Sequence, residues 1–242
     1  MIHYKIADLV VSVEYAGEVL QSRMKAYRIF PPEQADITIS TDRDKMKTAL
    51  IKHPHLSSDE WEYIQTGYNF ACSLPDFDGF CLHASAVAFD GRAVLFSGPS
   101  GTGKSTHTNL WQQYFGSDRA VIINDDKPVL RLEGDGFYVY GTPWSGKSIL
   151  NMNIRVPLAA IVFLKQAGEN RIRRLDNREA VQLLIYQSQH PGSDRLRMER
   201  LLTLQDTLLQ RIPVYQLECD ISFNAVEIVH REIYGKEMRN TL

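Results

Sequence analysis

Cysteine is scarce in this chain of 242 residues: Cys72, Cys81 and Cys219 are odd in number, and none sits in a C-x-x-C pair. That usage excludes a zinc ribbon or a disulfide framework and fits a reducing cytoplasm. Long apolar runs are missing too. Nothing approaches the roughly 20 residues that a membrane helix needs. The N-terminus, Met1-Ile2-His3-Tyr4-Lys5, reaches Asp8 and Glu14 without the apolar core of a secretion signal. Neither sign of charge dominates: 27 basic against 29 acidic side chains leave a formal net charge of −2. The basic excess of a dedicated nucleic-acid binder is therefore absent. Repeats and low-complexity tracts are lacking as well. The expectation is a cytoplasmic protein that neither enters a membrane nor binds nucleic acid.

What is present is ordinary in amount, 44% hydrophobic and 23% charged, and strongly patterned. A chain of this length can bury roughly 70–75% of its unfolded surface and needs no staple to fold. Residues 4–15 and 35–40 are rich in β-branched side chains and predict strands, with Pro31-Pro32 between them. A weak helical pattern covers 42–52. A firmer helix begins at Ser57, where Ser57 and Glu60 have capping-box spacing, and its pattern turns Trp61, Ile64, Tyr68 and Phe70 inward until Pro75 stops it.

Beyond residue 78 the texture changes. Two apolar runs, 84–89 and 93–97, flank Asp90-Gly91, a dipeptide suited to a tight hairpin. A glycine-rich stretch leads into a helix through Tyr114, and strands follow at 120–124, 128–132, 137–140 and 159–165. Asp176 with Glu179 starts a helix to about Gln189. A longer amphipathic helix over 194–211 directs Met198, Leu201, Leu202, Leu208, Leu209 and Ile212 inward. A strand at 213–217 precedes a last helix, begun by Asn224 with Glu227 and ended by Gly235. Strands alternating with helices predict an α/β fold, divided into a small N-terminal α/β subdomain (1–78) and a catalytic domain (79–242).

The sharpest motif is Gly98-Pro99-Ser100-Gly101-Thr102-Gly103-Lys104-Ser105-Thr106, which fits G-x-x-x-x-G-K-[ST] at every constrained position. It follows an apolar run and precedes a helical stretch, the placement such a loop requires. Glycines let backbone N–H groups turn inward as a nest for phosphate oxygens, and the helix start adds its dipole and unpaired donors. Lys104 is expected to reach the β- and γ-phosphates of ATP, and the Ser105 hydroxyl to ligate Mg²⁺. Twenty-one residues after Lys104, the run 120–124 ends in Asp125-Asp126. An acidic residue at a strand end beside such a loop is where the metal of a nucleotide finds its second anchor. Two adjacent acids allow one to hold the metal and the other to accept a proton from an attacking hydroxyl.

The segment from His83-Ala84-Ser85-Ala86-Val87 through the loop to Asn124-Asp125-Asp126 resembles the nucleotide-binding core of HPr kinase/phosphorylase, and is similar to the matching stretch of ATP-dependent phosphoenolpyruvate carboxykinase. The tail, Ile212-Pro213-Val214-Tyr215 and Ala225-Val226-Glu227, resembles the ends of HPr-kinase-like proteins found beside peptide-modification genes. The resemblance implies an α/β fold of the phosphoenolpyruvate-carboxykinase/HPr-kinase type with a P-loop core. It also implies that His83 lies near the transferred phosphoryl group or metal, that Asp125 is the general base and that Asp126 is the metal partner. In that fold Gly141-Thr142-Pro143-Trp144-Ser145-Gly146-Lys147 forms the far wall of the cleft, with Lys147 offsetting phosphoryl charge and Trp144 lining an acceptor pocket. The later glycine- and arginine-rich signature of true HPr kinases is not found, so neither HPr as acceptor nor the reverse reaction is implied. The chain is also short for a carboxykinase and shows no oxaloacetate-binding arginine set.

The function expected is an ATP- and Mg²⁺-dependent kinase acting on a hydroxyl, such as a serine of a protein, a peptide or a small molecule. The alternatives are a nucleotide-binding regulatory ATPase without an acceptor, and a small carboxykinase-like lyase. Expected partners are ATP and the hydroxyl-bearing substrate, with a homo-oligomer left open. Arg195, Arg197 and Arg200 near a helix start are read as a solvated face, and His107 as structural.

Overall fold

Residues 2–13 contain two strands rather than the one long strand expected from their β-branched texture. β1 (Ile2–Ile6) and β2 (Leu9–Val13) pair antiparallel. Ala7 and Asp8 between them take φ of 54° and 59°, the left-handed pair that a two-residue hairpin turn demands. The structure, a computed structural model, describes residues 1–14 and 17–235; Tyr15, at the end of the expected first strand, lies outside them. α1 (Glu18–Met24) follows, and β3 (Ile37–Ile39) adds to β2 in parallel. α2 (Arg43–Lys52) is capped by Asp42, whose Oδ1 accepts from the backbone N–H of Asp44 and Lys45 at 3.1 and 3.0 Å.

α3 (Ser58–Ser73) opens with the capping box that Ser57 and Glu60 predict. Its inward face differs from the expectation. Trp61 and Phe70 are buried, but Ile64 and Tyr68 are 48% and 37% exposed. The buried stripe runs through Thr66, Gly67, Phe70 and Ala71, because α3 approaches Trp144 through a glycine. A Cβ on Gly67 would stand 2.6 Å from Trp144 Cδ1. The largest side chains of a helix do not mark its packing face where contact is made through the smallest.

Among the described residues the main sheet has nine strands. They are β4 (Gly79–Cys81), β5 (Ala84–Phe89), β6 (Arg92–Ser97), β7 (Ala120–Asn124), β8 (Val129–Glu133), β9 (Gly136–Tyr140), β10 (Arg155–Gln166), β11 (Arg171–Arg174) and β12 (Val214–Cys219). Their order is β4-β8-β9-β10-β6-β5-β7, with β12 also pairing β10 and β11 pairing β12. The twelve residues of β10 hold the sheet together: Arg155–Pro157 pair antiparallel with β9, and later residues run parallel to β6 and β12. The β10–β6 register shifts between Leu158 and Ala160. Such a slip exchanges which side chains face which side.

Period-two alternation places the layers. In β5 and β6, Ala84, Ala86, Ala93 and Leu95 join one core cluster, and Val87, Phe89, Val94 and Phe96 join another. α5 (Asn177–Gln187) and α6 (Arg195–Arg211) cover the first through Leu184, Leu201, Leu204 and Leu208. α4 (Lys104–Phe115) and α7 (Phe223–Ile233) cover the second through Trp111, Val226 and Val229. The fold is α/β, as expected. Two local readings need correcting. Leu202 of α6 is 41% exposed, one position off the stripe set by Leu201, Leu204 and Leu208. At the start of α7 the N-cap is Ser222, without a side-chain cap bond, and Asn224 lies inside the helix. A third cluster joins β1–β3, α1 and α3 to Cys81, Val129, Tyr140 and Trp144, so apolar packing runs on across residue 78. All three cysteines are free and buried. Among the described residues no helix is long and apolar enough to cross a membrane.

His107, in the second turn of α4, is the buried titratable group with the clearest consequence for stability. Its ring packs edge-on against Phe96 with centroids 4.3 Å apart, and its Nε2 has no hydrogen-bond partner. Burial pushes its pKa down from 6.5 to about 4. Between those values the unfolded chain binds a proton that the folded chain refuses, so stability falls as pH drops from 6.5 toward 4. The expected loss from this group is about 2 kcal/mol by pH 5. Urea unfolding of wild type and His107→Leu at pH 7.5 and 5.0 checks it: the difference between the two proteins should shift by that amount in favour of the variant.

Candidate functional site

The sheet register decides what meets at its working end. β5 is antiparallel to both β6 and β7, with Ala84 opposite Ser97 and Ala86 opposite Asn124. The start of β5 and the ends of β6 and β7 therefore share one edge. His83, the glycine-rich loop and Asp125-Asp126 emerge there side by side, although His83 precedes Gly98 by 15 residues and Lys104 precedes Asp125 by 21. In open α/β sheets the crevice outside the carboxyl ends of parallel strands is the habitual ligand position, and β6, β10 and β12 are parallel here.

The loop runs from Gly98 to Gly103 between β6 and α4, as its motif requires. Gly101 and Gly103 take φ of 83° and 95°, a region where a side chain is strained. Thr102 closes the bend through its N–H and hydroxyl to Pro99 O at 3.3 and 2.9 Å. α4 begins at Lys104, and its first-turn N–H groups have no intrahelical partners; Ser105 and Thr106 are exposed at that start. Lys104 is 8% exposed, and its ammonium donates to Gly98 O at 2.9 Å and Pro99 O at 3.1 Å. Burial holds its pKa below the usual lysine value, against the attraction of Asp126 and Asp125.

The two aspartates keep different company. Asp125 Oδ1 accepts from Ser85 Oγ at 2.7 Å, and Ser85 Oγ shares a 2.8 Å hydrogen bond with Thr108 Oγ1 of α4. Thr108 Oγ1 also lies 3.1 Å from Ser105 O. Asp125 is thus tied toward the helix that carries Ser105. Asp126 faces the other way: its Oδ1 lies 3.4 Å from His83 Nε2, and it lines a cavity with Lys127, Trp144 and Lys147. His83 Nδ1 is 3.1 Å from Gln187 Oε1, which orients the ring. Burial and the nearby Lys104 ammonium push the His83 pKa below 6.5, with Asp126 opposing.

Four residues of this arrangement take roles that the sequence did not assign to them. Asn124 is fully buried. Its Oδ1 accepts from Asp126 N at 3.0 Å and Lys127 N at 2.7 Å, and its amide donates to Thr142 O at 2.9 Å. It fixes the turn that presents both acids and ties it to the segment leading to Lys147. Ser85, Gln187 and Gly146 are the others. Gly146 has φ 65°, and a Cβ there would stand 2.9 Å from Asp126 Cβ. The sequence signals were the contiguity of Asn124 with the acids and of Ser85 with His83, and the place of Gly146 in the expected cleft wall; nothing marked Gln187. Lys147 is exposed on the cavity wall. Trp144 borders that cavity, yet is 3% exposed and stacks on Phe70 with centroids 4.9 Å apart, so most of its ring is core. Arg197 and Arg200 are paired with Asp76, and Arg195 with Glu199, away from this edge.

Ser105, Asp125 and Asp126 offer only hard oxygen donors, the set that suits Mg²⁺ when phosphate oxygens and water complete its octahedron. Among the described residues no group of three or more His, Cys, Asp or Glu side chains could hold a metal by itself.

The chain matches the family described as "SynChlorMet cassette protein ScmC" over residues 71–234. No curated protein matches it by sequence. Among solved structures, the Hpr(Ser) kinase/phosphatase from Coxiella burnetii is similar at 11% identity and a TM-score of 0.40, covering 67% of this chain and 99% of that one.

Proposed function

The chain belongs to the SynChlorMet cassette protein ScmC family, and for it we propose an ATP- and Mg²⁺-dependent kinase that moves the γ-phosphoryl group to a hydroxyl. The observation carrying this reading is the convergence of the loop Gly98–Ser105, the buried Lys104 ammonium and Asp125-Asp126 on one sheet edge. Loop N–H groups and Lys104 hold the phosphates. Ser105 and Asp125 hold Mg²⁺, which neutralises charge on the phosphates when bound. Asp126, which lines the neighbouring cavity, accepts the proton. This division reverses the ordering that the family resemblance implies, and it rests on the Asp125–Ser85–Thr108 tie and the Asp126–His83 contact.

In the step, the acceptor oxygen bonds to the γ-phosphorus while the bond from that phosphorus to the ADP oxygen breaks. The hydroxyl proton passes to the Asp126 carboxylate, and ADP leaves. His83 steadies Asp126 as its charge changes, and Lys147 faces the transferred group. Positioning and charge neutralisation supply most of the rate in such a reaction.

Incubation with γ-labelled ATP, Mg²⁺ and candidate hydroxyl acceptors tests the reading. Label on a hydroxyl is the expected result. Free phosphate alone identifies a regulatory ATPase, and turnover dependent on oxaloacetate identifies a lyase; either refutes the kinase.

A further inference from the structure

Residues 1–70 lie outside the family match, yet they build half of a cavity that adjoins the site. Its volume is about 590 Å³, and it lies between α1 and α3 on one side and residues 126–127 and 144–147 on the other. The wall from the N-terminal part is apolar, made by Val19, Leu56, Ile64 and the Tyr63 ring. Five charged groups face the space, and two have fixed partners. Arg23 donates to Ser145 Oγ at 3.0 Å and to Ser148 O, and lies over the Tyr63 ring at 5.5 Å. Glu60 accepts from Ser57 N and Oγ at 2.8 and 3.0 Å in the α3 cap.

Asp126 is the third, turned to His83 as described. The remaining two, Lys127 and Lys147, form no ion pair and no side-chain hydrogen bond among the described residues. Lys127 is nevertheless partly buried. Lys147 adds an exposed positive charge at the apolar wall, and Lys127, partly buried and unpaired there, is costly to desolvate without an anion. With one, each forms a charge-assisted hydrogen bond in a partly dry setting.

We propose that this cavity binds the phosphoryl acceptor, and that the acceptor is a hydroxyl-bearing carboxylate. Its carboxylate meets Lys127 and Lys147, its apolar body lies on Leu56 and Ile64, and its hydroxyl reaches Asp126. The volume lies within the range of small-ligand sites. The N-terminal part then has a second task. Arg23 grips the turn 145–148, and Gly146 in that turn abuts Asp126, so the first seventy residues also set where the proposed base points. The word acceptor rests on the kinase reading; the binding chemistry does not.

Calorimetric titration of the full chain without nucleotide reads the cavity alone. The probes are N-benzoyl-L-serine, its primary amide and free L-serine. The acid should bind at least tenfold more tightly than the amide, and Lys127→Gln should remove that preference. Ile64→Glu, at a half-exposed position where folding is not at stake, should weaken the acid more than the amide. L-serine binding measurably but more weakly than its benzoyl derivative indicates a free hydroxy acid as the source, and binding as tight as that derivative takes the apolar wall out of the site and overturns the proposal. Binding of the acylated form alone indicates a carboxylate at a chain end. Equal affinity for acid and amide, no binding of any probe, or an acid affinity untouched by Ile64→Glu overturns the proposal. Failure of label transfer from ATP with these affinities intact would sink the kinase reading and leave the carboxylate site standing.

Discussion

Lys104→Met is expected to reduce ATP turnover at least ~100-fold, the scale of losing one preorganised charged donor to the transferring group. The argument is positional. Lys104 is the first residue of α4, held to 8% exposure, with its ammonium bridging the carbonyls of Gly98 and Pro99 at the base of the loop. It therefore has a bend-closing task and a charge task. Methionine keeps the length and removes both. Freeing the two carbonyls costs about 1–3 kcal/mol, which thermal unfolding will show as a lower Tm with one cooperative transition. Because Asp125 and Asp126 act on the Lys104 charge, the variant also leaves those acids without their cation. Unchanged turnover in a folded Lys104→Met protein would remove the loop from the account.

The second large effect separates the two acids. Asp126→Asn should retain ATP binding and lower transfer by about 10²–10⁴-fold, the usual range for a positioned base. Asp125→Asn should instead raise the Mg²⁺ concentration needed for half-maximal rate, because the residue tied through Ser85 and Thr108 faces the Ser105 side. Asp126 is also the group that opposes the depressed pKa values of His83 and Lys104, so its neutralisation should push both lower still. A histidine NMR titration reads this directly as a downward move of the His83 midpoint. A fully active Asp126→Asn beside an inactive Asp125→Asn would restore the ordering implied by the family resemblance.

The loop and the acid pair were legible in the sequence because their chemistry needs particular residues in a contiguous run. A nest for phosphate needs glycines at Gly101 and Gly103, and an ammonium one residue on. The hairpin at Asp90-Gly91 was legible for the same local reason: both residues take positive φ, 45° and 82°. What could not be read was set by register and close approach. Gln187 reaches His83 across 104 positions of sequence, and Gly146 matters for the side chain it lacks. The misplaced face of α3 has the same origin. Trp61, Ile64 and Tyr68 form an apolar stripe, yet the contact with Trp144 is made at Gly67, and burial follows the contact. Lys127 belongs to no sequence motif, and only the placement of α3 gives it a cavity to face.

The most direct test of the central claim, a triphosphate gripped by the loop beside the twin acids, is equilibrium titration of the wild-type protein with ATP, ADP and AMP in the presence and absence of Mg²⁺. Affinity should fall in the order ATP, ADP, AMP, and Mg²⁺ should strengthen the first most. AMP binding as well as ATP, or no nucleotide binding at all, would contradict it.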